Sequence, residues 1–167
     1  WTDEFNRTAL ANEQLTTISI GLLVLIGALG GAGYFLRTSM SRPLAQDALA
    51  LAGAHAMTDV TGFGLAGHLA GICEASGVGA TVRLNEVSIM DGALDLSQRG
   101  VRSSLFADNR NDARVTAPDT PRAALMFDPQ TGGGLLAAVP KDMADTLTDD
   151  RFTIIGEITD GSGVTFS

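Results

Sequence analysis

The chain has few basic residues and almost no cysteine, and both shortages narrow what it can do. Its 167 residues include 11 basic and 19 acidic side chains, and Lys141 is the only lysine. The formal charge of −8 argues against a nucleic-acid-binding surface, which needs a basic stripe, and makes a hard divalent cation a more natural partner. A single cysteine, Cys73, excludes an internal disulfide framework and fits a reducing compartment.

Apolar residues and glycine, by contrast, are plentiful. Hydrophobic residues make up 45% of the sequence and glycine occurs 20 times, which indicates an ordinary core and many tight turns. The length suits one domain with an appended segment. The sequence opens on Trp1 rather than methionine, as we expect of a fragment or a processed product.

The N-terminal part differs from the rest, because residues 18–36 contain no charged side chain. At about 1.5 Å per residue, a helix over 18–36 matches the thickness of a bilayer core. Arg37 and Arg42 follow this run, so the bulk of the chain would lie in the cytoplasm by the positive-inside rule. The alternative is a buried strand over 22–26 followed by a loop over 27–33. We therefore divide the chain into a divergent N-terminal segment, residues 1–40, and a globular part, residues 41–167.

In the globular part, hydrophobic periodicity predicts alternating helices and strands. Helices are predicted over 42–54, 65–75, 91–99 and 140–147, strands over 55–60, 80–84, 123–127, 135–139, 152–158 and 164–166, and a surface loop over 108–121. The last two strands are expected to form a hairpin around Asp160 and Gly161. This pattern predicts an α+β fold in which helices cover a mixed sheet.

Two stretches of the globular part, Met57–Leu65 and Met126–Leu135, share one pattern. Each has an apolar lead-in, an aspartate, a threonine followed by glycine, and a return to leucine. The aspartate stands where the chain leaves the core, and the backbone N–H groups of the turn that follows suit an oxyanion or a metal–phosphate group.

The first of these stretches holds the main candidate residue, Asp59. It is a candidate metal ligand, with an Asx-turn or a helix cap as the alternative. Thr61, Gly62 and Thr131 are candidates for binding a phosphate or nucleotide through hydroxyl or backbone N–H groups.

Other conspicuous residues receive structural roles. Asp128 is expected to fix a turn, and His68 to be a half-buried histidine with its own hydrogen-bond partners. Cys73 lies on the apolar face of its helix and is expected to be inert. Arg102 and Arg110 are expected in a solvated loop, with phosphate binding as the alternative.

The stretch Ala54–Leu69 resembles the signature of the selenophosphate synthetase (selenide, water dikinase) family, at the start of that enzyme's C-terminal domain. Further similar stretches follow in the family's order: Ser76–Ala80, Gly100–Leu105 with Asn109 and Arg110, and Phe127–Thr131. The resemblance extends from about Ser41 to the C-terminus.

The resemblance implies an enzymatic reaction that requires further protein domains besides this chain. Family members use ATP to convert selenide to selenophosphate and release AMP and phosphate, on the fold of the aminoimidazole-ribonucleotide-synthetase superfamily. The family's aspartate in this signature binds Mg²⁺, a role that falls on Asp59, so Mg²⁺ and ATP are the implied cofactor and cosubstrate. The implied partners are selenide, an ATP-binding N-terminal domain that carries the reactive cysteine or selenocysteine and a lysine, and a second copy in a homodimer.

The chain also departs from the family. No cysteine–lysine pair in a glycine-rich loop precedes the matched region, and Gly132 replaces the family's usual serine. We therefore assign no catalytic residue here and expect the chain alone not to make selenophosphate. The alternatives are a sibling such as a thiamine-phosphate kinase or a hydrogenase-maturation protein, a membrane-anchored interaction or regulatory module, and a fragmentary reading frame without independent function.

Overall fold

A computed structural model describes residues 33–38, 47, 49–130, 134–144, 147 and 152–167. The strands are β1 (Gly33–Thr38), β2 (Ala56–Asp59), β3 (Gly79–Val82), β4 (Val115–Thr116), β5 (Leu135–Pro140), β6 (Phe152–Thr159) and β7 (Gly163–Phe166). The helices are α1 (Gly64–Ser76), α2 (Ala93–Gln98), α3 (Phe106–Arg110), α4 (Pro121–Ala124) and α5 (Lys141–Ala144), with 3₁₀ turns at Leu84–Glu86 and Leu125–Phe127. Asp47 and residues 49–51 are also helical.

The strands form one mixed sheet in the order β2-β5-β1-β6-β3-β7-β4. Strand β7 runs parallel to β3 and β4, and the other neighbours are antiparallel. The mixed sheet is therefore confirmed, although the expected hairpin is wrong. Strand β3 lies between β6 and β7 and pairs with both, so the turn at Asp160 and Gly161 joins two strands that are not neighbours.

Part of the predicted membrane helix over 18–36 is also wrong, because Gly33 to Leu36 belong to strand β1. This strand pairs antiparallel with β5 on one side and β6 on the other, although it lies in the segment 1–40 that we set apart. Apolar runs are typical of membrane helices and of strands buried on both faces, so composition does not separate the two. In the part of the chain that the structure describes, no helix has the length and apolarity to cross a membrane. The alternative strand over 22–26 lies outside the described residues.

A third error concerns residues 108–127. The expected strand over 123–127 is a helical segment made of α4 and a 3₁₀ turn, and the expected loop contains most of α3 and all of β4. The side chain of Thr120 caps α4 by accepting a hydrogen bond from the N–H of Ala123 at 3.2 Å, and Pro121 occupies the first turn. These start signals outweigh the apolar run that follows them.

Helices cover the sheet on two sides. On one side, α1 and the 3₁₀ turn at Leu125–Phe127 pack on the sheet around Leu69 and Phe127, both fully buried. On the other side, Leu49 and Ala144 pack against alternate residues of β5. Because successive residues of a strand point to opposite faces, β5 contributes to both clusters, which explains why it is buried from Leu135 to Val139.

The start of α1 lies against the backbone of residues 126–128. Gly64 has φ of +66°, and a Cβ added there would lie 2.6 Å from the carbonyl oxygen of Met126 and 2.9 Å from the carbonyl carbon of Phe127. A side chain at this position would therefore collide with the main chain of the second motif. This contact brings the two motifs together.

We predict that Gly64→Ala destabilises the protein more than Gly77→Ala does. Gly77, just after α1, has the same φ of +66°, but nothing lies within 4 Å of an added Cβ. Both changes carry the strain of a left-handed backbone, about 1–2 kcal/mol, and Gly64→Ala adds an overpacking cost of roughly 1–3 kcal/mol. Urea denaturation measures the free energy of unfolding, and equal losses in the two variants would contradict the close contact between the motifs.

Candidate functional site

The two motifs form adjacent turns at one end of the sheet, which we call the first turn (residues 59–64) and the second turn (residues 127–134, of which 127–130 and 134 are described). The N–H of Val60 donates to the carbonyl oxygen of Gly134 at 3.0 Å, and the N–H of Gln130 donates to that of Thr61 at 3.0 Å. These bonds continue the pairing of β2 with β5, in which Asp59 lies opposite Leu135.

Asn109 of α3 joins the two turns from the side. Its Nδ2 donates to the carbonyl oxygens of Gly62 at 3.0 Å and of Phe127 at 2.9 Å. Asn109 lies within the surface loop expected over 108–121, and only the family resemblance includes it. Its position in that resemblance was the signal for this role, which composition alone does not give.

Asp59 is the last residue of β2, the outermost strand on one side of the sheet. Its side chain is half-buried and close enough to His68 to interact electrostatically with it. The carboxylate thus lies at the rim of the sheet, as its place at the end of an apolar run predicted. Among the described residues, no three or more histidine, cysteine or acidic side chains form a group that could hold a metal.

His68 contacts the first turn from the following helix. Its Nε2 lies 3.0 Å from both the backbone nitrogen and the Oγ1 of Thr61, and the Phe63 ring meets it edge-on with the ring centroids 5.6 Å apart. An N–H group can only donate, so Nε2 is the acceptor and the neutral imidazole carries its proton on Nδ1. Burial lowers the pKa of His68 below its usual value of 6.5, and the charge of Asp59 partly offsets this shift.

The three candidates for binding phosphate are Thr61, Gly62 and Thr131. The N–H of Thr61 binds His68, which leaves its hydroxyl oxygen as the group that can face a ligand. Gly62 lies two residues before α1, whose N-terminus has no side-chain cap and no acidic residue in its first turn. Thr131 and Gly132 lie outside the described residues.

Comparison with known proteins identifies the family of this chain. Residues 22–167 match the family described as AIR synthase related protein, C-terminal domain. The chain belongs to this family. The match covers the whole described sheet, including β1.

Curated relatives of this AIR synthase-related chain are named selenide, water dikinase. That of Aeromonas salmonicida (strain A449) is 46% identical over 94 residues, which are 55% of this chain and 27% of that protein. That of Burkholderia cenocepacia (strain J2315) is 39% identical over 138 residues, 74% of this chain and 38% of that protein. The resemblance drawn from the signature is confirmed, and the chain spans less than half the length of these relatives.

Solved structures share the fold of this AIR synthase-related domain. The hydrogenase maturation protein HypE of E. coli aligns with a TM-score of 0.58 and 16% identity, over 84% of this chain and 48% of that one. A HypE in complex with ATP aligns with a TM-score of 0.53 and 16% identity, over 80% and 44%. At these identities the likeness concerns the fold alone, and it confirms the α+β class.

The contacts of Asp128, Cys73 and Arg102 indicate structural roles. Asp128 lies in a turn, where its N–H donates to Leu125 and its carbonyl oxygen accepts from Gln130. Cys73 is buried, which raises the pKa of its thiol to about 11 and makes it a poor nucleophile. The guanidinium group of Arg102 donates to the carbonyl oxygens of Ser97 and Val101, so it holds its own loop.

Arg110 has a similar environment. Its guanidinium group donates to the carbonyl oxygen of Ala117 at 3.1 Å and lies over the Phe127 ring, 4.7 Å from the centroid. It therefore fixes the loop after α3 to the second turn. The expectation of a merely solvated loop is too simple, because both arginines bind main-chain oxygens.

We predict that His68 titrates below pH 6.5 and that Asp59→Asn lowers its pKa further by removing the charge that offsets burial. Because the folded pKa is the lower one, the unfolded chain takes up this proton first as the pH falls. The contribution of His68 to stability is then complete above pH 6.5 and declines as the pH falls towards the folded pKa. An NMR pH titration of the ring signals measures the pKa, with His55→Gln as the control that leaves His68 the only histidine. A midpoint above 6.5 would contradict the buried, accepting imidazole.

Proposed function

We propose that this chain is the C-terminal domain of a selenide, water dikinase and that it provides Asp59 as a ligand of the Mg²⁺ bound to ATP. The observation that carries the proposal is the adjacent position of the two turns, with the half-buried Asp59 carboxylate at their edge. The overall reaction converts ATP, selenide and water to selenophosphate, AMP and phosphate.

The chemistry of the residues fits the cation. Mg²⁺ prefers oxygen ligands and keeps several waters, so it needs only one or two protein carboxylates together with phosphate oxygens. Asp59 meets that requirement for one domain, and the other carboxylates belong to the partner domain in this proposal. When bound, Mg²⁺ neutralises phosphate charge and aligns the transferring group.

The first turn also favours an anion beside the cation. Helix α1 has 13 residues, and its N-terminus, which has no side-chain cap, begins two residues after Gly62. The partial positive charge at a helix N-terminus attracts phosphate groups. We therefore propose that Thr61, Gly62 and Thr131 lie next to the phosphates of ATP, with Asp59 on the metal.

The catalytic groups come from elsewhere in this proposal. Cys73 is buried among apolar residues and is not a nucleophile, and Lys141 lies in α5, on the side of β5 where Ala144 packs. An ATP-binding N-terminal domain with the reactive cysteine or selenocysteine is the proposed partner, in a homodimeric enzyme. A cytoplasmic location belongs to the same proposal, because selenide and a free thiol both suit a reducing compartment.

The test joins this chain to the ATP-binding domain of a selenide, water dikinase and measures selenide-dependent AMP release. We expect Asp59→Asn to lower the rate by about 100-fold or more, because it removes a charged metal ligand. Asp160→Asn is the matched control, since Asp160 is exposed and follows β6 at the other end of the sheet.

Two results would refute the proposal. One is equal activity of the Asp59→Asn and Asp160→Asn proteins, which would remove Asp59 from the metal site. The other is AMP release that does not depend on selenide, which would separate ATP cleavage from the selenide chemistry that this proposal requires. The chain without the added domain is expected to show no turnover.

A further inference from the structure

The hydrogen bonds of Thr61 fix the direction of its hydroxyl group. Its backbone N–H and its Oγ1 both lie 3.0 Å from Nε2 of His68. The N–H is a donor, so Nε2 carries no proton and can only accept. The hydroxyl must then point its own proton towards the same nitrogen, in a shared acceptor arrangement.

A hydroxyl group has one proton and two lone pairs. With the proton committed to His68, the outward side of Thr61 Oγ1 presents lone pairs. Such an oxygen cannot donate to a phosphate, but it can accept a hydrogen bond from a metal-bound water or ligate a cation. The serine or threonine hydroxyl of phosphate-binding loops holds Mg²⁺ in this way.

Thr61 is also held in place by its carbonyl oxygen. That oxygen accepts from the N–H groups of Gly64 and Gln130, each at 3.0 Å. Thr61 is therefore held at three atoms. His68 of α1 binds its nitrogen and its Oγ1, and Gly64 and Gln130 bind its carbonyl oxygen. A group held at three atoms loses little freedom when a ligand binds, which favours binding.

We propose that Thr61 Oγ1 is a second oxygen ligand of the Mg²⁺ at Asp59, directly or through one of the ion's waters, and that His68 is the positioning residue that orients it. This inference rests on the proposed function, because it requires the cation to bind at Asp59. In this inference Thr61 is a neutral metal ligand rather than a hydrogen-bond donor to a phosphate group.

Position along the turn supports the assignment. Thr61 follows Asp59 by two residues, and His68 interacts with both residues, by hydrogen bonds with Thr61 and electrostatically with Asp59. The Phe63 ring meets the imidazole edge-on, and Gly67 permits it, since a Cβ on Gly67 would lie 2.7 Å from that of Phe63. The imidazole is thereby held by two residues of the first turn, Thr61 and Phe63.

The test uses Mn²⁺ as a paramagnetic substitute for Mg²⁺, together with ATP, on the 167-residue chain joined to the same ATP-binding domain. Mn²⁺ broadens amide NMR signals near its site even when it binds weakly, so the readout does not depend on enzyme activity. We expect broadening centred on residues 58–68. Titration gives the dissociation constant for the wild type and for each variant, and the remaining amide signals report whether the variant is folded.

The variants separate the hydroxyl from the rest of the side chain. Thr61→Val keeps the shape and the N–H bond to His68, and we expect it to weaken Mn²⁺ binding by about 10-fold. Thr61→Ser keeps the hydroxyl and should bind like the wild type. His68→Phe keeps a ring but loses the acceptor, and we also expect a loss of about 10-fold. The double variant should lose less than the product of the two effects, because His68 acts through Thr61.

The outcomes distinguish this inference from the proposed function. If Asp59→Asn weakens binding and Thr61→Val does not, Thr61 is not a ligand, while the Asp59 site stands. If Mn²⁺ does not broaden signals around the first turn of the wild type, both assignments are wrong. If Thr61→Val does not fold, Thr61→Ala removes the same hydroxyl, and binding equal to the wild type would again overturn the inference.

Discussion

The hydrogen bonds between the first and second turns determine the geometry of the candidate site. Strand β2 has four residues and, among the described strands, is an edge strand that pairs only with β5, so its end needs further support to hold a carboxylate in one place. The bonds from Val60 to Gly134 and from Gln130 to Thr61 provide that support, and Asn109 joins both turns from a third element. Gly64 allows the two main chains to approach this closely.

The sequence predicted most of this region. Strand β2, helix α1 and strand β5 have clear periodicity and were expected at nearly their observed positions. Gly77 ends α1 in the left-handed conformation. The similarity of the two motifs, read along the chain, corresponds to two turns that touch in space. Asp59 lies at the rim because the apolar run before it is a strand of the sheet.

The sequence did not predict features that depend on distant partners. Strand β1 lies between β5 and β6, and an uncharged run gives no sign of which strands it will join or of whether it will be a helix instead. The insertion of β3 between β6 and β7 likewise follows from the order of strands in the sheet, while the turn at Asp160 and Gly161 looks like an ordinary hairpin turn. The pairing of His68 with Thr61 brings together residues seven positions apart across a helix start. The sequence indicates a half-buried histidine with hydrogen-bond partners, but not which residues those partners are.

The balance of charge explains why one carboxylate and one hydroxyl would suit this side of the proposed magnesium–nucleotide site. ATP already brings several negative charges to the cation, and a second carboxylate beside Asp59 would repel the phosphates at short range, where Coulomb energies are large. A hydroxyl oxygen adds a ligand without adding charge. Its orientation must then be set by the protein, because a hydroxyl that rotates freely can offer either its proton or its lone pairs. In this chain the acceptor nitrogen of His68 orients the hydroxyl proton of Thr61. The N–H of Thr61 in turn requires that this nitrogen carry no proton.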